Sequence, residues 1–205
     1  MLTHELQGVI FDLDNTLVSS SLDFDSIRAS LGCSKEVDLL DFVAALPDQE
    51  KTQSEELLIE YEMNDALDAK KLNGTDELLA LLSELAIPCA IVTRNCKQAA
   101  LLKLKNNNID IPILLTREDH KAKPAPDALL SLSHDWNLPP ENLLYVGDYL
   151  YDLQAAQNAN TMSCLITYNK ILSYANLANV VVNDLTELSD IIKQHCLVSK
   201  INLHG

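Results

Sequence analysis

The sequence predicts an α/β protein: a parallel β-sheet with a helical segment inserted after its first strand. Three observations carry this. From residue 75 onward, short apolar runs alternate with helical patterns, and strands joined through helices form parallel sheets with right-handed crossovers. Residues 6–13 are densely apolar and alternate poorly, as does a strand buried on both faces. Between these regions, Phe24 to Lys71 carries helical spacing, many charges and no strand-like run.

After the first strand the insert reads as helices, "FDSIRASLG", "SKEVDLLDFVAAL" and "PDQEKTQSEELLIEYEMNDALDAKK". Asn73-Gly74-Thr75 then punctuates the chain, and Thr75 is placed to cap a helix with Asp76 and Glu77 in its first turn. Leu78, Leu79, Leu82 and Leu85 form the apolar face of that helix. Strands follow at 87–93, 111–116, 142–148, 162–167 and 179–184. The helices between them are 96–105, with Asn95 at its cap, Pro126 to Trp136, and "DLQAAQNA"; "LTELSDIIKQ" closes the series. The domain reading is a core of residues 1–17 and 73–205 and a helical unit of residues 18–72.

With 205 residues, 47% apolar and 22% charged, the chain can bury a substantial core. A formal net charge of −15, without a cluster of lysines or arginines, argues against nucleic acid or an anionic membrane surface as partner. Five cysteines form no CxxC pair and no zinc-ligand spacing. With no signal-like N-terminus, they are expected to be reduced thiols in the cytoplasm. No apolar run approaches the ~18 residues of a membrane span.

Polar residues fall where four predicted strands stop: Asp12 with Asp14, Thr93, Lys123 after the third strand, and Asp148 with Asp152. In doubly wound sheets the ligand crevice lies outside the carboxyl ends of the strands, so these residues converge. Carboxylates so crowded suit a hard divalent cation such as Mg²⁺, which binds carboxylates together with substrate phosphate. A threonine hydroxyl, backbone N–H groups at a helix start and a lysine suit the phosphate itself.

"DLDNT", "IVTRN", "TREDHKAKPAPD" and "GDYLYD" resemble the four ordered motifs of the haloacid dehalogenase superfamily. The insert after the first motif is similar to the cap of its phosphoglycolate-phosphatase-like branch. The resemblance covers about Gly8 to Leu188 and implies a Rossmann-like core of strand order 5-4-1-2-3 with Mg²⁺-dependent phosphoaspartyl chemistry. By it, Asp12 is the nucleophile and a metal ligand. Asp14 gives a backbone carbonyl to the metal and acts as general acid and then base, kept protonated in part by its proximity to Asp12. Thr93, with Arg94 beside it, and Lys123 hold the phosphoryl group. Asp148 ligates Mg²⁺, supported by Asp152. Tyr149 departs from the family, which usually has a small hydroxyl residue there, and Asn160 stands where glycine is common.

These residues point to a phosphatase acting on a small phosphorylated metabolite, with a phosphomutase of the same architecture as the alternative. A two-component receiver shares the aspartate, threonine and lysine, but its acceptor aspartate ends a later strand, and "IPILLT" ends without one. Arg28 is the candidate for a specificity residue in the insert, since a phosphorylated acid invites a guanidinium. The insert is expected to move as a lid, hinged near Leu17–Ser20 and near Asn73-Gly74.

Overall fold

Alternation of side chains decides how the first strand sits. In the computed structural model of the protein, which describes residues 2–202, β1 (Gly8–Phe11) is buried along its whole length. Val9 and Phe11 enter one apolar layer with Leu78, Leu82 and Leu188. Ile10 enters the opposite layer with Leu129 and Tyr145. Parallel strands β2 (Cys89–Val92) and β4 (Leu143–Gly147) flank β1, with Ile10 opposite both Ala90 and Tyr145. With β3 (Leu114–Leu115), β5 (Met162–Ile166) and β6 (Val180–Val182), the order is β3-β2-β1-β4-β5-β6, and every pairing is parallel. The expected order 5-4-1-2-3 is present, extended by β6. The chain changes direction across the sheet at β1, which sets the crevice beside that strand.

Helices α4 (Thr75–Glu84), α5 (Lys97–Asn106) and α8 (Leu185–Asn202) cover one face of the sheet. Helices α6 (Asp127–Trp136) and α7 (Leu150–Ala159) cover the other. Among the described residues no helix is long and apolar enough to cross a membrane.

Three local expectations change. The strand expected at 111–116 contracts to Leu114–Leu115 at the sheet edge, because Pro112 has no N–H for the ladder. Thr75 does not cap α4: Gly74 does, at φ +84°, where an added Cβ would lie 2.7 Å from the Thr186 backbone nitrogen. Thr75 instead donates its hydroxyl to the Leu17 carbonyl at 3.2 Å. Asn95 does not cap α5 either, since the Cys96 sulfur accepts the Ala99 N–H at 3.4 Å. Asn160 ends α7 in the left-handed conformation at φ +59°, which asparagine tolerates in place of glycine.

The insert forms α1 (Phe24–Leu31), α2 (Leu39–Ala44) and α3 (Asp48–Asp68). Asp23 and Asp38 cap α1 and α2 through their side chains. Helix α3 is apolar on two sides. Leu58 and Tyr61 pack with Ile27, Leu39 and Val43 of the smaller helices, whereas Ile59, Met63 and Ala66 pack on Cys96, Ala99 and Leu102 of the core. The two connecting segments are bonded to each other, Val18 bridging Lys71 and the Ser19 N–H donating to the Lys70 carbonyl at 2.8 Å.

Candidate active site

Each candidate residue follows a strand because the apolar run ends there and the chain turns out of the sheet. Asp12 continues the β1 ladder, donating its N–H to the Val146 carbonyl at 2.8 Å. Thr93 likewise donates to the Leu115 carbonyl at 2.9 Å. Lys123 lies in the loop after β3, Asp148 directly after β4, and Asp152 in the first turn of α7. All of them, with Asp14, line a cavity of about 490 Å³ between the strand ends and the insert.

Lys123 is buried between two carboxylates, 2.6 Å from Asp12 Oδ1 and 2.7 Å from Asp152 Oδ1. Burial alone would lower its pKa, but the charges of Asp12 and Asp152 hold it above the ordinary lysine value. Asp152 is fixed further by the Tyr145 hydroxyl at 3.2 Å and the Tyr149 N–H at 3.0 Å. Gly147 makes room for this arrangement: a Cβ there would lie 2.3 Å from the Asp152 carboxylate. The close approach at this glycine is to Asp152.

Asp12, Asp148 and Asp152 each place a carboxylate oxygen within 4.8 Å of the others. Burial, opposed by Lys123 and aided by Asp152, pushes Asp12 up to about 7. Burial and then the charges of Asp12 and Asp152 push Asp148 up to about 8. Lys123, Tyr145 and Tyr149 all serve Asp152, whereas the Asp148 carboxylate and Asp12 Oδ2 take no hydrogen bond among the described residues. Two desolvated carboxylates with unused oxygens beside a third fit a hard divalent cation.

Asp14 differs from its neighbour. Its Oδ1 accepts from Lys103 Nζ at 2.5 Å and its Oδ2 from Asn95 Nδ2 at 2.9 Å. Its pKa is raised, chiefly by burial with the Asp65 charge adding to it, while Lys103 and Asn95 oppose it. Burial is thus the larger contribution to a protonated Asp14, and the repulsion between Asp12 and Asp14 acts on Asp12.

Arg94 and Arg28 line the cavity with their guanidinium groups engaged elsewhere. Arg94 Nη2 donates to both oxygens of Asp38 in the insert, at 2.9 and 2.7 Å. Its Nη1 donates to the Lys123 carbonyl, and Cζ lies 4.8 Å from the Tyr151 ring centroid. Arg28 Nη1 staples the turn between α1 and α2, donating to the Ser34 and Val37 carbonyls at 2.8 and 2.7 Å. Asp38 is one of three acids of the insert that meet core cations: Glu62 pairs with Arg117 at 2.5 Å and Asp65 with Lys103 at 2.7 Å.

Sequence reasoning missed Asn95, Lys103, Asp38, Glu62 and Asp65. Lys103 was detectable, because it occupies the buried stripe of α5 with Ala99, Ala100 and Leu104, where a lysine needs a partner. The acids of the insert carry no such signal among the many charges of their helices. Cys96, at a helix start, is pushed up to about 11 by burial and is an unreactive thiol.

A parallel sheet that gathers acids, a threonine and a lysine beneath a helical cap is the architecture of a capped hydrolase. The sequence model of the haloacid dehalogenase-like hydrolases matches residues 23–166, and the chain belongs to that family. It is 28% identical over 173 residues to a haloacid dehalogenase-like hydrolase domain-containing protein of Arabidopsis thaliana, covering 78% of this chain and 71% of that one. It is 25% identical over 215 residues to an N-acetylmuramic acid 6-phosphate phosphatase of Pseudomonas aeruginosa, covering 91% and 95%. The crystal structure of a predicted phosphoglycolate phosphatase from Haemophilus somnus matches with a TM-score of 0.71 at 21% identity, over 93% of this chain and 98% of that one. At that identity the likeness is one of fold.

Proposed function

We propose that the protein is a Mg²⁺-dependent phosphatase that hydrolyses a small phosphomonoester through an aspartyl phosphate on Asp12. The observation that carries this is the placing of Asp12 2.6 Å from a buried Lys123, with the cavity in front of it. A lysine there favours the ionised carboxylate against the effect of burial and also attracts a phosphoryl group.

The Asp12 carboxylate attacks phosphorus, and the bond to the leaving oxygen breaks as Asp14 gives that oxygen a proton. Water then attacks the acyl phosphate, Asp14 takes a proton from it, and inorganic phosphate departs with Asp12 restored. Thr93 and Lys123 hold the phosphoryl oxygens. Asp12 and Asp148, supported by Asp152 and by the Asp14 carbonyl, would hold Mg²⁺, which supplies positive charge beside those oxygens. Residues 18–72 serve as a cap domain over a core of residues 1–17 and 73–205. The cavity of about 490 Å³ suits a small metabolite. The named activity of the Pseudomonas relative, on a sugar phosphate, supports the same substrate class.

The test is a screen of the purified protein against phosphorylated sugars, short acids and nucleotides, with and without Mg²⁺, using Asp12→Asn as control. Release of phosphate by the wild type and its loss in Asp12→Asn is the expected result. Activity in Asp12→Asn within about tenfold of wild type would remove Asp12 as nucleophile.

A further inference from the structure

Lys103 is an ammonium at a position built for an apolar side chain. It is fully buried in the α5 stripe, where an ammonium is tolerated only if paired. Its Nζ lies 2.5 Å from Asp14 Oδ1 and 2.7 Å from Asp65 Oδ2. The first partner follows β1 in the core; the second sits on α3 of the insert. Asp65 is itself buried, and it accepts the Ser21 N–H at 2.6 Å and the Ser20 hydroxyl at 2.9 Å from the segment leading into the insert. Since Asn95 holds Asp14 Oδ2 at 2.9 Å, both oxygens of Asp14 are fixed. One of them is fixed through a group whose other anchor belongs to the insert.

We propose that Lys103 is a positioning residue through which the seating of α3 on the core sets the orientation of the Asp14 carboxylate. The proposal rests on the acid and base role given to Asp14 above. A lysine stem is flexible, and two anchors on opposite sides are what hold its head in one place. Without Asp65 the head can swing and Asp14 can turn with it, moving the proton off line from the leaving oxygen. Misplacement of a reacting group by about 1 Å can cost ~100-fold in rate. A purely structural brace would slow every substrate alike. Misplacement of Asp14 slows the hydrolysis of the aspartyl phosphate for every substrate, but slows the phosphorylation of Asp12 only for substrates whose leaving oxygen needs the proton.

The experiment compares glycerol phosphate, a poor leaving group, with p-nitrophenyl phosphate, a good one, in wild type, Lys103→Met and Asp65→Asn. Lys103→Met is expected to lose ~100-fold in kcat/KM on glycerol phosphate and about threefold or less on p-nitrophenyl phosphate, because kcat/KM reports the phosphorylation of Asp12, the step in which the leaving oxygen takes its proton. Asp65→Asn is expected to shift the same ratio in the same direction by a smaller factor. Equal losses on both substrates, or no loss on either, overturn the proposal. If the melting curve shows that Lys103→Met does not fold, the ratio in Asp65→Asn decides alone. If wild type hydrolyses neither ester, the screen described above decides on the phosphatase reading separately. The crystal structure of Asp65→Asn then decides on Lys103: a displaced Asp14 carboxylate supports the positioning role, and an unmoved one overturns it.

Discussion

Lys123 holds Asp12 and Asp152 together: its Nζ lies 2.6 Å from one carboxylate and 2.7 Å from the other, beneath the Tyr145 ring at 5.4 Å. Two buried acids share one cation, and removal of that cation leaves both uncompensated. Lys123→Met should abolish turnover and lower the melting temperature. The deficit should be smaller at about pH 5 than at about pH 8, because uncompensated buried carboxylates are relieved by protonation. Melting curves at the two pH values check this, and equal deficits would show that charge is not the cause.

The acidic cluster gives the metal-free protein a pH dependence of definite sign. Asp12 is raised to about 7 and Asp148 to about 8, both above the 3.8 of a free aspartate. Between about pH 4 and pH 8 the folded state therefore binds more protons than the unfolded state, and stability falls as pH rises through that window. In chelator, wild type should melt at a progressively lower temperature from about pH 5 to pH 8, by several degrees for a chain of this size. An Asp12→Asn/Asp148→Asn protein should show a shallower fall. A parallel fall in both proteins would place the titrating groups elsewhere.

Turnover should require Mg²⁺ and stop in excess chelator, and Ca²⁺ should inhibit. Ca²⁺ takes longer bonds and more ligands than Mg²⁺. It would draw both Asp12 oxygens into coordination and leave none free to attack phosphorus. Asp148→Asn should raise the Mg²⁺ concentration needed for half-maximal rate by about tenfold or more. Full activity in chelator would remove the metal role given to Asp148.

The strand ends were legible in the sequence because a buried parallel strand is a continuous apolar run, and its abrupt end in a charge is visible. Asp12, Thr93, Lys123 and Asp148 all lie at such ends or in the loop that follows one, and all line the cavity. The contacts between insert and core were not legible. Asp38, Glu62 and Asp65 meet Arg94, Arg117 and Lys103 across sequence separations of 56, 55 and 38 residues. Nothing local distinguishes those acids from solvated ones. Helix α3 hid its arrangement for a second reason: with one apolar side on the small helices and another on α5, it shows no single apolar face.

The same contacts change which part of the insert should move. Helix α3 is seated on α5 by Ala66, Met63 and Ile59, and its end is tied to Lys103. The connecting segments expected as hinges are bonded to each other. Among the described residues, helices α1 and α2 have no comparable seat: they pack on the far side of α3, and Asp38 reaches the core through its pair with Arg94. The Arg94 and Asp38 side chains are 24% and 18% exposed, and this bidentate pair is the tie on that end of the lid, which is therefore the end that lifts when the pair is broken. Asp38→Asn keeps a good helix cap for α2 and removes the charge that binds Arg94. The variant should therefore fold normally, raise KM for a small phosphomonoester several-fold, and lose discrimination against bulky substrates. Wild type should show little turnover of a phosphopeptide, because a cavity of about 490 Å³ beneath the insert suits a small ester. In Asp38→Asn the ratio of kcat/KM for the phosphopeptide to that for the small ester should rise. An unchanged ratio would mean that Asp38 does not hold the mouth closed.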